Sequence, residues 1–291
     1  MSPGAGGVVD VAGIPVGPGQ PLAALLGPCV IESEELCLEV GAQLAAISER
    51  TGVPVVFKSS FLKDNRSSEQ SYQGPGLEEG LRILEKVRLE TGLPIVSDIH
   101  DLSEVEAAGE VLDIVQIPAY LCQQTRLAIA AAKTGRVVNV KKGQFMAPED
   151  MANAVGKIRR AGNDRILLTD RGTCHGYRNL VVDMRAIPKM QKLGVPVVMD
   201  AGHAVRIYGV RSDDPAGGEP ESIETLARAG VAAGADLVFL EVHPDPPSAL
   251  CDAMSMLRLD DIERILRGLR RLREVTLEIA AETEPSRATA R

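Results

Sequence analysis

The stretch GLEEGLRILEKVRLETGLPIVSDIH, residues 76–100, contains the repeating unit that decides the fold. An amphipathic helical pattern covers 76–91, a glycine follows where the helix should end, and a short apolar run covers 94–96. Asp98 and His100 come directly after that run. A short, continuous apolar run is typical of a strand that is covered on both faces of a parallel sheet. The stretch therefore predicts a helix, a buried strand and a polar strand end.

The same unit recurs along the chain. Apolar runs predict strands at 23–26, 54–57, 94–96, 112–115, 137–140, 166–168, 196–199 and 237–240. Helical patterns alternate with these runs, at 34–51, 76–91, 102–109, 125–134, 148–161, 180–193, 222–233 and 259–281. This alternation indicates a single α/β domain over 1–291, folded as one (β/α)8 TIM barrel. A doubly wound open sheet is the alternative, because periodicity alone does not distinguish an open sheet from a closed one.

Two end segments lie outside this alternation. Residues 1–20 form an N-terminal extension in which 8–16, with Ala12 and Gly13 at its centre, predicts a small β-hairpin that covers the floor of the barrel. Residues 282–291 predict a polar C-terminal tail.

Composition and charge exclude several classes of protein. Lys and Arg number 32 against 40 Asp and Glu, a net charge of −8, so broad binding to nucleic acid or to an anionic membrane is not expected. Aromatic residues are 3% of the chain and Trp is absent, which disfavours base stacking. No apolar stretch is long enough to span a membrane, and no secretory leader pattern is present. We therefore expect a cytoplasmic protein without nucleic-acid or membrane partners.

Positively charged side chains follow several predicted strands. Their positions are Lys58, Lys63, Arg66, Lys141, Lys142 and Arg171. The carboxyl ends of barrel strands converge on one face, so these cations would point toward one mouth. A bound anion stabilises such a cluster, and Arg matches phosphate or carboxylate oxygens with two hydrogen bonds. The pattern predicts a ligand with more than one phosphate or carboxylate group, and the alternative is that long basic side chains extend into water at strand ends.

A second set of side chains has the chemistry of metal ligands. Its members are Cys29, His203, Glu241 and Asp252. They follow the first, seventh and eighth predicted strands, which are neighbours in a closed barrel. A thiolate, an imidazole and two carboxylates suit one divalent transition metal ion per subunit, Zn²⁺, Fe²⁺ or Mn²⁺. The spacing is not a local motif, so His203 taken alone would be an ordinary hydrogen-bonded histidine. Candidates for further ligands are His100, His175 and His243.

A long segment rich in Gly and Pro, YGVRSDDPAGGEP at 208–220, follows the seventh predicted strand. Functional lids have this composition and so do slack surface loops, so both interpretations stay open. No P-loop and no GxGxxG segment follows a strand, so a nucleotide cofactor is not expected.

Several segments together form a recognisable set. The most specific is FKSSFLKDNRSS at 57–68, which contains a Lys-x6-Asn-Arg-Ser pattern. The others are GPCVIES (27–33), SDIH (97–100), DIVQIPAYLCQQT (113–125), VNVKKGQF (138–145), TDRGTCHGYRNLVVDMR (169–185), DAGH (200–203) and EVHPDP (241–246). The set spans about residues 8–280 and resembles the 3-deoxy-D-manno-octulosonate 8-phosphate (KDO8P) synthase family. That family lies within a larger group that includes the 3-deoxy-D-arabino-heptulosonate 7-phosphate (DAHP) synthases.

The resemblance implies a transferase that condenses phosphoenolpyruvate with D-arabinose 5-phosphate and water, giving KDO8P and inorganic phosphate for lipopolysaccharide precursor synthesis. The implied phosphoenolpyruvate site comprises Lys58, Ala119, Lys141, Gln144 and Arg171. The implied sugar-phosphate site comprises Lys63, Asn65, Arg66, Ser67 and Asp98. Family members with Cys in the first-strand segment are metal-dependent, which implies the metal ligands Cys29, His203, Glu241 and Asp252. The implied catalytic residues are Lys63, Lys141, His203 and Asp252, and the implied assembly is a homotetramer.

The chain also departs from the family pattern. The departures are at Gln123, His175, Gly202 and the run 253–256, and they bear on affinity for the sugar phosphate. The nearest alternative function is a DAHP-type synthase that uses erythrose 4-phosphate, against which Asn65, Arg66 and Ser67 argue. A non-catalytic barrel that acts as a binding subunit is another alternative. A zinc hydrolase is a third, disfavoured because so many cations would be superfluous.

Overall fold

The N-terminal residues form the predicted hairpin. The computed structural model describes residues 7–64, 71–174, 179–210 and 214–288, with side chains as far as residue 282. Strands β1 (Val9–Val11) and β2 (Ile14–Val16) pair in antiparallel register. Ala12 and Gly13 between them have positive φ angles of 49° and 90°, as a two-residue hairpin turn requires. The hairpin shares a buried apolar cluster with the barrel strands, so it covers the barrel floor.

A closed barrel follows the hairpin. Among the described residues its eight parallel strands are β3 (Ala23–Gly27), β4 (Val55–Lys58), β5 (Ile95–Asp98), β6 (Ile114–Ile117), β7 (Val137–Lys141), β8 (Ile166–Asp170), β9 (Val197–Asp200) and β10 (Leu237–His243). The ring closes because β10 pairs with both β3 and β9, with Leu237 opposite Ala23 and Val198. The predicted (β/α)8 barrel is confirmed and the open sheet is excluded. A further short strand, β11 (Met256–Arg258), pairs with the end of β10.

Helices surround the barrel and connect its strands. They are α1 (Glu34–Thr51), α2 (Leu77–Thr91), α3 (Val105–Val111), α4 (Thr125–Lys133), α5 (Ala152–Arg160), α6 (Ala186–Gln191), α7 (Ala201–Ala204), α8 (Ile223–Ala232) and α9 (Ile262–Ala288). Ser33 caps the start of α1, where its side chain accepts the N–H of Leu36 at 3.1 Å, and Gly52 caps the end with a left-handed φ of 66°. No helix in the described part of the chain is long and apolar enough to cross a membrane.

Several predicted boundaries shift by a few residues, and two differ by more. The helix predicted over 180–193 is wrong in length, since α6 covers only Ala186–Gln191. Before α6, Val181 forms a bridge with Thr173 and Asn179 forms one with Ile207, so the chain there is not helical. Helix α9 continues to Ala288, so the tail predicted from residue 282 begins inside a helix.

Candidate active site

A cavity of about 430 Å³ opens where the barrel strands end. The sequence-predicted residues that line it are Lys63, Asp98, Ala119, Lys141, Arg171, His203 and Asp252. Arg206 and Tyr208 also line it, and neither was predicted as a site residue. Arg206 follows α7 closely and Tyr208 begins the Gly/Pro-rich segment, so nearness to a strand end was the available signal. The start of that segment, Tyr208, Gly209 and Val210, therefore lines the cavity.

Lys141 ends strand β7 inside the cavity. Its Nζ lies 2.8 Å from Asp200 Oδ2 and 3.8 Å from the centroid of the Phe239 ring. Burial lowers the pKa of Lys141, and the neighbouring Asp200 only partly offsets that effect. A bound anion near this ammonium group would therefore stabilise its charged form.

Arg171 follows strand β8 and contacts the segment over the cavity. Its guanidinium lies 5.9 Å from the centroid of the Tyr208 ring, and the Tyr208 hydroxyl accepts from Gln144 Nε2 at 2.6 Å. Arg171 Nε is buried without a hydrogen-bond partner among the described residues. Gln144 itself is buried behind the cavity lining, and its Oε1 is likewise unpartnered in the described part of the chain. An oxygen-rich ligand would satisfy the Arg171 donor.

Lys58, Lys63 and Asp98 form a charged layer at the base of the cavity. Lys58 is buried beneath the lining, with its Nζ 3.2 Å from Glu241 Oε1 and 3.9 Å from Asp98 Oδ2. Lys63 Nζ lies 3.9 Å from Glu241 Oε1. Burial opposes the charged form of Asp98, yet the surrounding lysine ammonium groups hold the pKa of this carboxyl well below its usual value. Burial also opposes the charged form of Lys63, but nearby Cys29 and Glu241 raise its pKa well above the usual value.

Lys142 does not point toward the mouth, contrary to the prediction. Its Nζ is fully buried, 3.4 Å from Asp170 Oδ1 and 3.1 Å from the carbonyl oxygen of Gly172. Consecutive residues of a strand face opposite sides, so the inward direction of Lys141 sends Lys142 the other way. Lys142 therefore ties the loop after β7 to the loop after β8.

Asp200 fixes the orientation of His203. The Asp200 side chain accepts the backbone N–H of His203 at 3.0 Å, and its Oδ2 lies 2.9 Å from His203 Nδ1. His203 Nε2 faces Glu241 Oε1 at 3.5 Å. Burial lowers the pKa of His203, despite the opposing effects of Asp200 and Glu241. Because Asp200 accepts a hydrogen bond from the protonated Nδ1, the neutral imidazole presents a lone pair at Nε2.

Cys29, Cys251 and Asp252 meet beside this histidine. Cys29 follows β3, and its Sγ lies 2.7 Å from Cys251 Sγ and 3.5 Å from Asp252 Oδ2. Cys251 was not predicted, although its place beside Asp252 was a usable signal. Burial raises the pKa of the Cys251 thiol well above its usual value. Arg206 Nη1 approaches the other Asp252 oxygen, Oδ1, at 3.4 Å.

These residues fit a divalent transition metal ion. The ligand atoms of His203, Glu241 and Asp252 lie within 4.8 Å of one another, and those of Cys29, Cys251 and Asp252 form an overlapping group. Glu241 Oε2 is buried and has no hydrogen-bond partner among the described residues, which leaves an acceptor for a cation. Thiol, imidazole and carboxylate donors together suit the ions predicted from the sequence.

Two of the departures from the family pattern contact each other. A Cβ on Gly202 would lie 2.8 Å from the carbonyl oxygen of Ser255, in the turn that follows Asp252. Asp252 itself has a left-handed φ of 51°, which is uncommon for a residue other than glycine. The small residue at 202 therefore makes room for the turn that places Asp252.

Part of the predicted site lies outside the described residues. The residues concerned are Asn65, Arg66, Ser67 and His175. Of the other candidate ligands, His100 lines the cavity, and His243 Nε2 lies 3.8 Å from Glu32 Oε2. Gln123 contributes its backbone carbonyl oxygen to Lys157 Nζ at 2.8 Å.

The comparison with known proteins agrees with this arrangement. A family model described as the DAHP synthetase I family matches residues 7–278, so the chain belongs to that family. Curated relatives named 2-dehydro-3-deoxyphosphooctonate aldolase come from Syntrophotalea carbinolica, Geobacter sulfurreducens and Synechococcus sp.. Their identities are 57% over 261 residues, 49% over 262 and 51% over 263, in each case 90% of this chain. These matches cover 94%, 96% and 92% of the relatives, and the resemblance to the KDO8P synthases is confirmed.

Proposed function

We propose that this protein condenses phosphoenolpyruvate with D-arabinose 5-phosphate and water, forming KDO8P and inorganic phosphate. The observation that carries the proposal is a cavity lined by Lys63, Lys141 and Arg171, with the candidate metal ligands at its edge. The names of the curated relatives support the same activity. The DAHP alternative has no comparable support among those names.

Phosphoenolpyruvate is assigned to the side of the cavity that carries Lys141 and Arg171. The unpartnered Arg171 Nε donor and the Lys141 ammonium group supply hydrogen bonds and charge for a phosphate and a carboxylate. The backbone near Ala119 lines the same cavity. Gln144 and Lys58 lie behind the cavity lining and support this site indirectly. Gln144 holds Tyr208 by a hydrogen bond, and Lys58 contributes its positive charge.

Arabinose 5-phosphate is assigned to the side that carries Lys63 and Asp98. Asn65, Arg66 and Ser67 follow Lys63 in the sequence, and the family resemblance supports their assignment to the sugar phosphate. The Asp98 carboxylate accepts hydrogen bonds from sugar hydroxyls. The Lys63 ammonium group lies where it offsets the negative charge that develops on the aldehyde oxygen.

The reaction then proceeds with a balanced set of bonds. Carbon 3 of phosphoenolpyruvate bonds to the aldehyde carbon, the oxygen of water bonds to carbon 2, and the bond between carbon 2 and the phosphate oxygen breaks. The attacking water passes one proton to the departing phosphate as its oxygen becomes the carbonyl oxygen at carbon 2, and its other proton goes to the aldehyde oxygen. We assign that proton transfer to the Asp252 carboxylate, or to the His203 imidazole when its Nε2 does not hold the metal ion. Lys141 and Arg171 hold the leaving phosphate, so both substrates stay in attack geometry.

One divalent metal ion per subunit, Zn²⁺, Fe²⁺ or Mn²⁺, is part of the proposal. Its ligands would be Cys29, His203, Glu241 and Asp252, which the donor chemistry and the unpartnered Glu241 Oε2 support. Such an ion supplies Lewis acidity toward the aldehyde and water. Asp200 accepts a hydrogen bond from the protonated Nδ1 of His203, so the lone pair that would bind the metal ion is on Nε2.

We further propose a homotetramer in the cytoplasm, without nucleic-acid or membrane partners. The family resemblance supports the tetramer, and the exposed rings of Tyr120 at the cavity and Phe145 beside Gln144 offer apolar surface for a subunit contact. The net charge of −8 supports the absence of a nucleic-acid partner.

Phosphate release measured with arabinose 5-phosphate and erythrose 4-phosphate in parallel tests the function. We expect kcat/KM to be at least tenfold higher with arabinose 5-phosphate. Arg171→Ala should lower kcat/KM by roughly a hundredfold or more, because a buried charge-assisted contact to substrate is lost. Arg185→Ala is the matched control, since Arg185 lies on the surface and pairs with Asp183. A preference for erythrose 4-phosphate would favour the DAHP alternative, and no release with either sugar would favour a non-catalytic barrel.

A further inference from the structure

A row of buried polar side chains crosses the interior of the barrel and ends at Asp98. Its members, on strands β8, β7, β6 and β5, are Thr169, Asn139, Gln116 and Asp98. Thr169 Oγ1 donates to Asn139 Oδ1 at 2.8 Å, and Asn139 Nδ2 donates to Gln116 Oε1 at 2.8 Å. Gln116 Nε2 donates to Asp98 Oδ1 at 2.6 Å. Thr169, Asn139 and Gln116 are fully buried and do not line the cavity.

The carboxylate at the end of the row fixes the direction of every hydrogen bond in it. An ionised Asp98 can only accept, so Gln116 must present its NH₂ group to it. The carbonyl end of the Gln116 amide then faces Asn139, which must in turn donate. The Asn139 carbonyl is left to accept from the Thr169 hydroxyl. Each amide therefore has a single orientation that satisfies its neighbours.

Strand register explains why these side chains meet. Asp98 is opposite Gln116, and Gln116 is opposite Asn139, so the three side chains face the same side of the sheet. Thr169 lies two residues beyond Leu167, which is the register partner of Asn139. The second oxygen of Asp98, Oδ2, accepts from Ser60 Oγ at 2.6 Å. Neutral donors therefore hold both oxygens of the Asp98 carboxylate.

We propose that Thr169, Asn139 and Gln116 are positioning residues that orient Asp98 toward the sugar phosphate. The inference rests on the proposed function, which places the sugar beside Asp98. Neutral amides fix the plane of the carboxylate without adding a charge to a cavity that already carries several lysines. Asp98 therefore keeps its full negative charge for the sugar hydroxyls and for its balance with Lys58 and Lys63.

Removal of the Thr169 hydroxyl should disturb the orientation of Asp98, because the side-chain amides of Asn139 and Gln116 connect the two residues. Asn139 Oδ1 would be left buried without the Thr169 donor, so the Asn139 amide would shift and its hydrogen bond to Gln116 Oε1 would weaken. Gln116 would then rotate, and Asp98 would lose its Oδ1 donor. Loss of a buried hydrogen bond weakens a contact by about five- to tenfold.

The test compares Thr169→Val, which has the same shape without a hydroxyl, with Thr169→Ser, which retains the hydroxyl. In Thr169→Val we expect the KM for arabinose 5-phosphate to rise about five- to tenfold, with the KM for phosphoenolpyruvate changed by less than about twofold. Thr169→Ser should stay within about twofold of the unmodified protein for both substrates. Should Thr169→Val fail to fold, Thr169→Cys, with its weak thiol donor, should give an intermediate rise.

Asp98→Asn provides the second arm, because an amide at 98 can donate or accept and no longer fixes the direction of the row. Thr169→Val should add little to the sugar KM in that background. Equal sugar KM values for Thr169→Val and the unmodified protein, or a full additional effect in Asp98→Asn, would overturn the positioning role. An unmodified protein that releases no phosphate with arabinose 5-phosphate would instead overturn the proposed function, and the positioning role with it.

Discussion

Burial opposes the charge of both lysines that line the cavity, but their neighbours offset this effect to different degrees. Lys63 has carboxylate and thiol neighbours that raise its pKa well above the usual value, so its charge is supplied by the protein itself. Lys141 shares Asp200 with His203, and its pKa is lowered because burial outweighs that partner. An anion bound beside Lys141 supplies the missing stabilisation of its charge. At the scale of single residues, the cavity is therefore built to gain stability when a phosphorylated substrate enters.

Replacement of Cys29 tests the metal ligands. Cys29→Ser should lower the metal content per chain, by at least about tenfold at limiting metal, because the soft donor is lost. Cys37→Ser is the control, since Cys37 is buried in α1 away from this group. Elemental analysis after dialysis measures the effect independently of activity. Full activity of Cys29→Asn in the presence of a chelator would show that the metal is dispensable in this barrel.

The buried thiol of Cys37 makes a pH-dependent contribution to stability. Burial raises its pKa to about 12 from an ordinary value near 9.0. Above pH 9 the unfolded state loses this proton while the folded state keeps it, so the free energy of unfolding should fall as pH rises from about 9 toward 12. Urea unfolding at several pH values should show a weaker alkaline decline for Cys37→Ala than for the unmodified chain. Parallel declines would contradict the assignment, and Cys174→Ala, at a half-exposed position, is the control.

At the scale of secondary structure, the sequence predicted correctly those elements that local residues determine. The hairpin over 8–16 and helix α1 agree with their predictions, because the turn and capping residues that determine them lie next to them in the sequence. The start of the helix predicted over 180–193 did not form because Val181 pairs through its backbone with Thr173, next to the pairing of Asn179 with Ile207. Such tertiary pairing leaves no periodic signal in the sequence. The same limit explains why Arg206, which follows a very short helix, was missed.

Gly202 in helix α7 is expected to control the turn that carries Asp252. In Gly202→Ala the new Cβ would meet the Ser255 carbonyl oxygen at 2.8 Å, so the turn must shift. We expect a loss of about 1–3 kcal/mol in unfolding free energy and weaker metal retention. Gly268→Ala is the matched control, because Gly268 is exposed in α9 with nothing near its added Cβ, and it should stabilise by about 0.5–1 kcal/mol. Unchanged stability and metal content in Gly202→Ala would contradict this role.

At the scale of the whole molecule, barrel closure assembles the site from residues far apart in the chain. Cys29 and Asp252 meet because β3 pairs with β10, which joins the first and last strands of the barrel. Once the closed barrel was predicted, this adjacency could be predicted too. The direction of side chains could not be predicted in the same way. Lys142 was predicted to point toward the mouth, but it is buried against Asp170. Cys251 was also missed although it lies beside Asp252, because its contact with Cys29 depends on the path of a loop.

A buried cation also connects several segments at the end of the barrel opposite the cavity. Arg273 of α9 pairs with Asp236 at 3.0 Å and donates to the carbonyl oxygens of Gly17 at 3.2 Å and Ala235 at 3.2 Å. Asp236 also accepts the backbone N–H of Val197 at 2.9 Å. One ion pair therefore joins the N-terminal extension, the last helix and strands β9 and β10.

Arg273→Met should destabilise the whole barrel rather than the site. It leaves Asp236 buried without its cation, and breaking a buried pair in this way costs about 3–5 kcal/mol. Arg267→Met in the same helix is the control, since Arg267 is half exposed and pairs with Glu263, and it should cost about 1 kcal/mol or less. Urea unfolding measures both, while metal content and kcat of the folded fraction should stay near the unmodified values. Arg273→Met combined with Asp236→Asn should recover part of the loss, because no unpaired charge remains buried. If the two arginine variants lost equal stability, the cross-link would have no special role in holding the barrel closed.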